Sequence, residues 1–124
     1  MENREVTRAR ILVVDDTLDN LEMMEEILTV EGYDVELAHN GHEALEIIKL
    51  SPPDLLLLDF MMPEMNGYEV TLRLQKSQVQ FPILWVTGFD EGRELAKELG
   101  VDVLLKPIRL HKLLAKVQSF LPCP

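Results

Sequence analysis

Five polar residues in this chain stand directly after short apolar runs, and their types are those that handle phosphoryl groups. Asp15 and Asp16 follow Ile11–Val14, Asp59 follows Leu55–Leu58, Thr87 follows Pro82–Val86, and Lys106 follows Val101–Leu105. Three carboxylates brought together repel one another and resist desolvation, which raises their affinity for protons and calls for a cation. No cysteine or histidine falls at these positions, so the all-oxygen donor set suits magnesium better than zinc, and calcium fits the same donors. A carboxylate beside a divalent cation, a hydroxyl and an ammonium group is what phosphoryl transfer to aspartate needs. The cation and the ammonium neutralise the transferred oxygens, and the hydroxyl donates a hydrogen bond to one of them.

Taken singly, each residue has a plainer reading. An aspartate pair after a strand usually caps a helix and opposes its dipole. Asp59 alone reads as a loop residue, Thr87 as a turn hydroxyl and Lys106 as a solvated cation. Their joint placement at strand ends reverses that preference, because ligands of open α/β sheets bind beyond the carboxyl ends of the strands.

The elements that must position them are legible as alternating patterns. Five apolar runs, the four above and Tyr33–Ala38, have the continuous character of strands buried on both faces. Tyr33–Ala38 is the exception: Val35 and Leu37 alternate with Asp34 and Glu36, as an edge strand with one wet face would. Between the runs the period becomes helical, with Leu21, Met24 and Leu28, then Ala44, Leu45 and Ile48, and finally Leu110, Leu113, Leu114, Val117 and Leu121. Gly32 and Gly100 each follow a helical segment and read as left-handed stops. Strand and helix alternating in this way predict a doubly wound α/β domain, a parallel sheet with helices on both faces.

At 124 residues the chain predicts one domain spanning 1–124, with a lead over 1–9 and a tail or the start of a linker over 122–124. A net charge of −10 argues against direct nucleic-acid binding and against anionic membrane surfaces. No apolar run is long enough to span a bilayer, and the start lacks a signal peptide's apolar core, so the expected location is the cytoplasm. Cys123 is the only cysteine, so no internal disulfide forms, and it reads as tail. His39, His42 and His111 have no metal-cluster spacing, the methionines read as packing residues, and the acidic stretches as solvated helix faces.

The segments Ile11-Leu-Val-Val-Asp-Asp16, Leu55-Leu-Leu-Leu-Asp-Phe-Met-Met-Pro-Glu-Met-Asn-Gly-Tyr-Glu69, Val86-Thr-Gly88 and Leu105-Lys-Pro107 together resemble the response-regulator receiver family of two-component signalling, the CheY-like superfamily. The resemblance covers nearly the whole chain, and its motifs fall in the family's order. It implies a five-stranded parallel sheet of flavodoxin-like order 2-1-3-4-5. It implies that Asp59 is the phosphoacceptor, that Asp16 ligates magnesium directly, and that Asp15 helps, often through water. The backbone carbonyl of Met61 completes the protein ligands, and Mn2+ is an expected substitute. Thr87 and Lys106 hold the phosphoryl oxygens, and the Lys106–Pro107 bond is cis. The implied donor is a sensor histidine kinase or a phosphotransfer protein, the output is unspecified, and the implied state is a monomer or weak dimer. Asn66-Gly67 matches the family's turn into the third helix, where glycine is expected to supply a backbone conformation other residues avoid.

Two departures stand out. Between Thr87 and Lys106 family members usually carry about three more residues, so the fourth helix is expected to be short or mobile, further weakened by Gly92. The family's usual aromatic switch residue falls on Val103, and Gly88 replaces the commoner alanine. The signal is therefore expected to pass through rearrangement of residues 88–100, with Phe89 shielding the acyl phosphate from water. Two other classes compete. An interaction-only receiver would lack an acid, the acceptor or the lysine, and all are present. A magnesium-dependent phosphatase with an aspartate nucleophile needs a general acid two residues after Asp59, where this chain has Met61. The expected role is a phosphoacceptor signalling domain rather than an enzyme acting on an external substrate.

Overall fold

The computed structural model describes residues 8–88 and 90–121, with no description of the Glu91 side chain. Strands β1 (Arg10–Val14), β2 (Asp34–Ala38), β3 (Leu55–Asp59), β4 (Ile83–Thr87) and β5 (Asp102–Leu105) alternate with helices α1 (Leu18–Val30), α2 (Gly41–Leu50), α3 (Gly67–Lys76), α4 (Glu91–Leu99) and α5 (Leu110–Phe120). The strands form one sheet in the order β2-β1-β3-β4-β5, and every pairing is parallel. This is the expected doubly wound α/β architecture. Asp59 and Thr87 belong to the last positions of β3 and β4 rather than lying beyond them, while β4 begins at Ile83 and β5 at Asp102, each one residue after the expected start.

The continuous apolar runs are explained by the pleat. Alternate residues Ile11, Val13, Leu55, Leu57 and Leu84 pack with Leu21, Met24 and Leu28 of α1 and Leu113 and Val117 of α5. The intervening Leu12, Val14, Leu56, Leu58 and Trp85 pack with Ala44 and Ile48 of α2, Val70 and Leu74 of α3, and Ala96 of α4. With helices on both faces a strand has no wet side, so the period of two is hidden in the sequence. At the β2 edge one face is wet, and Asp34 and Glu36 are exposed while Val35 and Leu37 are half-buried.

Gly32 and Gly100 take positive φ of 101° and 73° where α1 and α4 end, as their positions predict. Gly67 differs from expectation, because its φ is not in the positive region. A Cβ there would lie 2.9 Å from Phe60 Cα and 3.0 Å from the Asp59 carbonyl oxygen. Close approach of α3 to the end of β3 requires the glycine, and Asn66 starts the helix with a reciprocal capping box to Glu69.

The indole of Trp85 is fully buried and tied to α3. Its Nε1 donates to Thr71 Oγ1 at 2.8 Å, Thr71 Oγ1 donates to the Gly67 carbonyl at 2.8 Å, and the Phe60 ring lies 5.1 Å from the Trp85 ring. Replacing Thr71 with Val keeps the shape but leaves the indole N–H without an acceptor, which costs about 1–3 kcal/mol of stability. Urea unfolding followed by Trp85 fluorescence is expected to show that loss for Thr71→Val and most of it recovered in Thr71→Ser.

Candidate functional site

The parallel register decides which residues meet. Val14 pairs with Leu58, so Asp15 emerges beside Asp59; Asp59 pairs with Val86 and Thr87 with Leu105. Thr87 and Lys106 therefore close the same edge of the sheet. Backbone hydrogen bonds carry the ladder past the strand ends: Asp15 N–H donates to the Ala38 carbonyl at 3.2 Å, Phe60 N–H to Val86 at 3.1 Å, and Lys106 N–H to Thr87 at 2.8 Å. These fix the main chain where the site residues leave the sheet.

Asp15, Asp16 and Asp59 each offer a carboxylate oxygen, and these atoms all lie within 4.8 Å of one another. Asp15 and Asp59 are buried and Asp16 is exposed. Lys106 Nζ stands 3.5 Å from Asp59 Oδ1, which also accepts from the Met61 N–H at 3.3 Å. Burial, and after it the charge of Asp15, raise the Asp59 carboxyl from 3.8 to about 6, against the opposing pull of Lys106. One ammonium does not neutralise this group of acids, and three oxygen donors within such a span are what a hard divalent cation takes.

Asp15 also performs part of the plainer role of starting a helix. Its Oδ1 accepts from the Thr17 N–H at 2.8 Å and its Oδ2 from Asn20 Nδ2 at 3.3 Å, so it turns the chain into α1 as well as facing the cleft. The Lys106–Pro107 peptide is cis, as expected. Val103 is half-buried and packs against the cluster that holds Trp85, its register partner on β4. Met62 is buried, but the Met61 side chain is 52% exposed, so the expectation that both pack holds only for Met62. Phe89 and Cys123 lie outside the described residues.

Two residues of the neighbourhood escaped the sequence reading. Asn20, one helical turn after Asp16, carried a signal in its spacing. Gly92 carried none beyond its low helix propensity, yet it is buried against Thr87. The fourth helix is the shortest of the five at nine residues, starting at Glu91 so that Gly92 lies in its first turn.

The description "Response regulator receiver domain" belongs to the family model that matches residues 11–118. The chain belongs to the response-regulator receiver family. It is 44% identical over 115 residues to the response regulator MprA of Mycobacterium ulcerans, covering 90% of this chain and 50% of that protein. It thus spans about half the length of the curated relatives it matches. Among solved structures it is similar to the chemotaxis protein CheY4 of Vibrio cholerae, with a TM-score of 0.83 and 32% identity over 93% of this chain and all of that one. The receiver domain of the Francisella response regulator 1452 superposes with a TM-score of 0.86 at 26% identity, covering 91% of this chain and 96% of the other. It is a signalling receiver domain, and none of its described helices is long and apolar enough to cross a membrane.

The raised Asp59 carboxyl makes stability depend on pH in a defined direction. An unfolded carboxyl releases its proton near 3.8 and the folded one near 6, so between these values the native state binds more protons than the unfolded state. Stability therefore falls as pH rises through this window, by about 3 kcal/mol in full. In metal-free protein Asp59→Asn is expected to be more stable than wild type by about 2–3 kcal/mol near pH 8, with the gain fading towards pH 4. Urea midpoints in chelator at the two pH values check it, and an equal gain at both excludes Asp59 ionisation as its source.

Proposed function

We propose that this chain accepts a phosphoryl group on the Asp59 carboxylate from a sensor histidine kinase or phosphotransfer protein and thereby changes its affinity for an output partner. The observation that carries the reading is the grouping of Asp15, Asp16 and Asp59 within 4.8 Å, with Lys106 3.5 Å from Asp59. Membership of the receiver family supports it. Asp15, Asp16, Asp59 and the Met61 carbonyl would hold Mg2+, with Mn2+ as a substitute; the oxygen-only donors and the raised proton affinity of Asp59 fit such an ion. When bound, the cation neutralises charge on the transferred oxygens.

In the transfer, an Asp59 carboxylate oxygen forms a bond to phosphorus as the donor's phosphorus–nitrogen bond breaks. The bonding pair stays on the imidazole nitrogen, and no proton need leave Asp59 provided it is ionised, a condition met above its folded value of about 6. The Lys106 ammonium faces the developing negative charge, and the Thr87 hydroxyl donates to one phosphoryl oxygen. Motif and placement together support these roles for Asp15, Asp16, Thr87, Lys106 and Met61. Position 61 offers no general acid, so we read the chain as a phosphoacceptor that acts on no external substrate, and residues 1–124 as one receiver domain. We place it in the cytoplasm as a monomer or weak dimer, and name neither its kinase nor its output.

Incubation with acetyl phosphate and Mg2+, followed by intact mass and Trp85 fluorescence, tests the reading. A labile phosphoryl adduct is expected that vanishes in Asp59→Asn and in chelator. Failure to form an adduct, both here and with a histidine kinase, would overturn the phosphoacceptor role and favour a receiver that signals by partner exchange alone.

A further inference from the structure

Gly92 lies in the first turn of α4 and is buried. A Cβ built on it would lie 3.0 Å from Thr87 Cγ2, 3.5 Å from Thr87 Oγ1 and 3.7 Å from Thr87 Cβ. All three nearest atoms belong to the one side chain whose hydroxyl serves the phosphoryl group in the reading above. Thr87 is itself buried, and β3 and β5 hold its strand from both sides. Its backbone has little freedom to retreat, so relief must come from χ1 or from α4. Rotation about χ1 sweeps the methyl and the hydroxyl through the space beside position 92, which a glycine leaves open and any larger residue narrows.

We infer that Gly92 is a positioning residue for phosphoryl transfer: by lacking a side chain it gives Thr87 the room to rotate its hydroxyl towards the Asp59 site while α4 stays docked on the strand end. The inference rests on the phosphoacceptor reading and extends it to a residue that touches neither phosphoryl group nor metal. It also places α4 beside Thr87 in a chain whose position 103 is Val.

The test is Gly92→Ala, assayed by the rate of Asp59 phosphorylation from acetyl phosphate with Mg2+, alone and combined with Thr87→Ser. Alanine favours helix over glycine, so a lost rate is not explained by fraying of α4. A misplacement of a few tenths of an ångström at a transferring group is expected to slow phosphorylation about tenfold. Thr87→Ser removes the crowded methyl and keeps the hydroxyl, so in that background Gly92→Ala is expected to change the rate by less than about twofold. In unphosphorylated protein the Thr87 methyl carbon shift, which reports χ1, is expected to move in Gly92→Ala. A Gly92→Ala rate equal to wild type overturns the inference, as does an equal slowing in both backgrounds or an unmoved methyl shift. Wild-type protein that takes no phosphoryl group overturns the phosphoacceptor reading itself, and this inference with it.

Discussion

The constraint on which the rest of the structure depends is the enforced proximity of two buried carboxylates, Asp15 and Asp59. Left to themselves like charges separate and hydrate, and the rise of the Asp59 carboxyl to about 6 is the measure of what burial and Asp15 impose. The sheet supplies the restraint. Leu55, Leu56, Leu57 and Leu58 are all fully buried, each contributing roughly 1.5–3 kcal/mol by burial, and β3 is hydrogen-bonded on both sides. A strand so heavily determined carries an unfavourable terminal residue without shifting register, since a slip by one would turn every leucine to the opposite face.

The two ends of the sheet contrast. Where the strands begin, Arg10 satisfies its surroundings: it donates to the Ser51 hydroxyl at 2.8 Å and the Pro52 carbonyl at 3.0 Å, and pairs with Glu36 at 2.7 Å. Where they end, the acids outnumber the single ammonium of Lys106, which stands further off at 3.5 Å. Charge is paired at one end and left in excess at the other, the end where helix N-termini and strand carboxyl ends converge in open parallel sheets.

How much of this was legible follows from the range of each interaction. The runs at Ile11, Leu55 and Ile83 were readable because a strand buried on both faces leaves a continuous apolar signal, and the site residues because they follow those runs directly. Gly32 and Gly100 were readable because helix termination is local. The reason for Gly67 was not, since it is the backbone of Phe60 and Asp59, brought in by packing, that excludes a side chain there. Gly92 was read as a weakness of α4 for the same cause: its partner Thr87 is supplied by tertiary structure, and propensity carries no trace of it. The exposure of the Met61 side chain likewise depends on how the loop after β3 turns, which neighbouring residue types do not specify.

That loss of local information bears on how α4 is held. A helix of nine residues is marginal on its own, and the Asp90 side chain makes no capping hydrogen bond to it. Its attachments are the buried Ala96, the half-buried Leu95 and Leu99, and Gln75 of α3, which donates to the Leu99 carbonyl at 2.8 Å. All of these lie from the middle of the helix onward, while in the N-terminal turn Gly92 faces Thr87 so closely that an added Cβ would lie 3.0 Å from Thr87 Cγ2. The helix is thus attached mainly from its middle onward, with Gly92 close beside Thr87 at the other end. Under the proposed function, a change at Thr87 would meet α4 at its less firmly attached end, whatever residue stands at position 103.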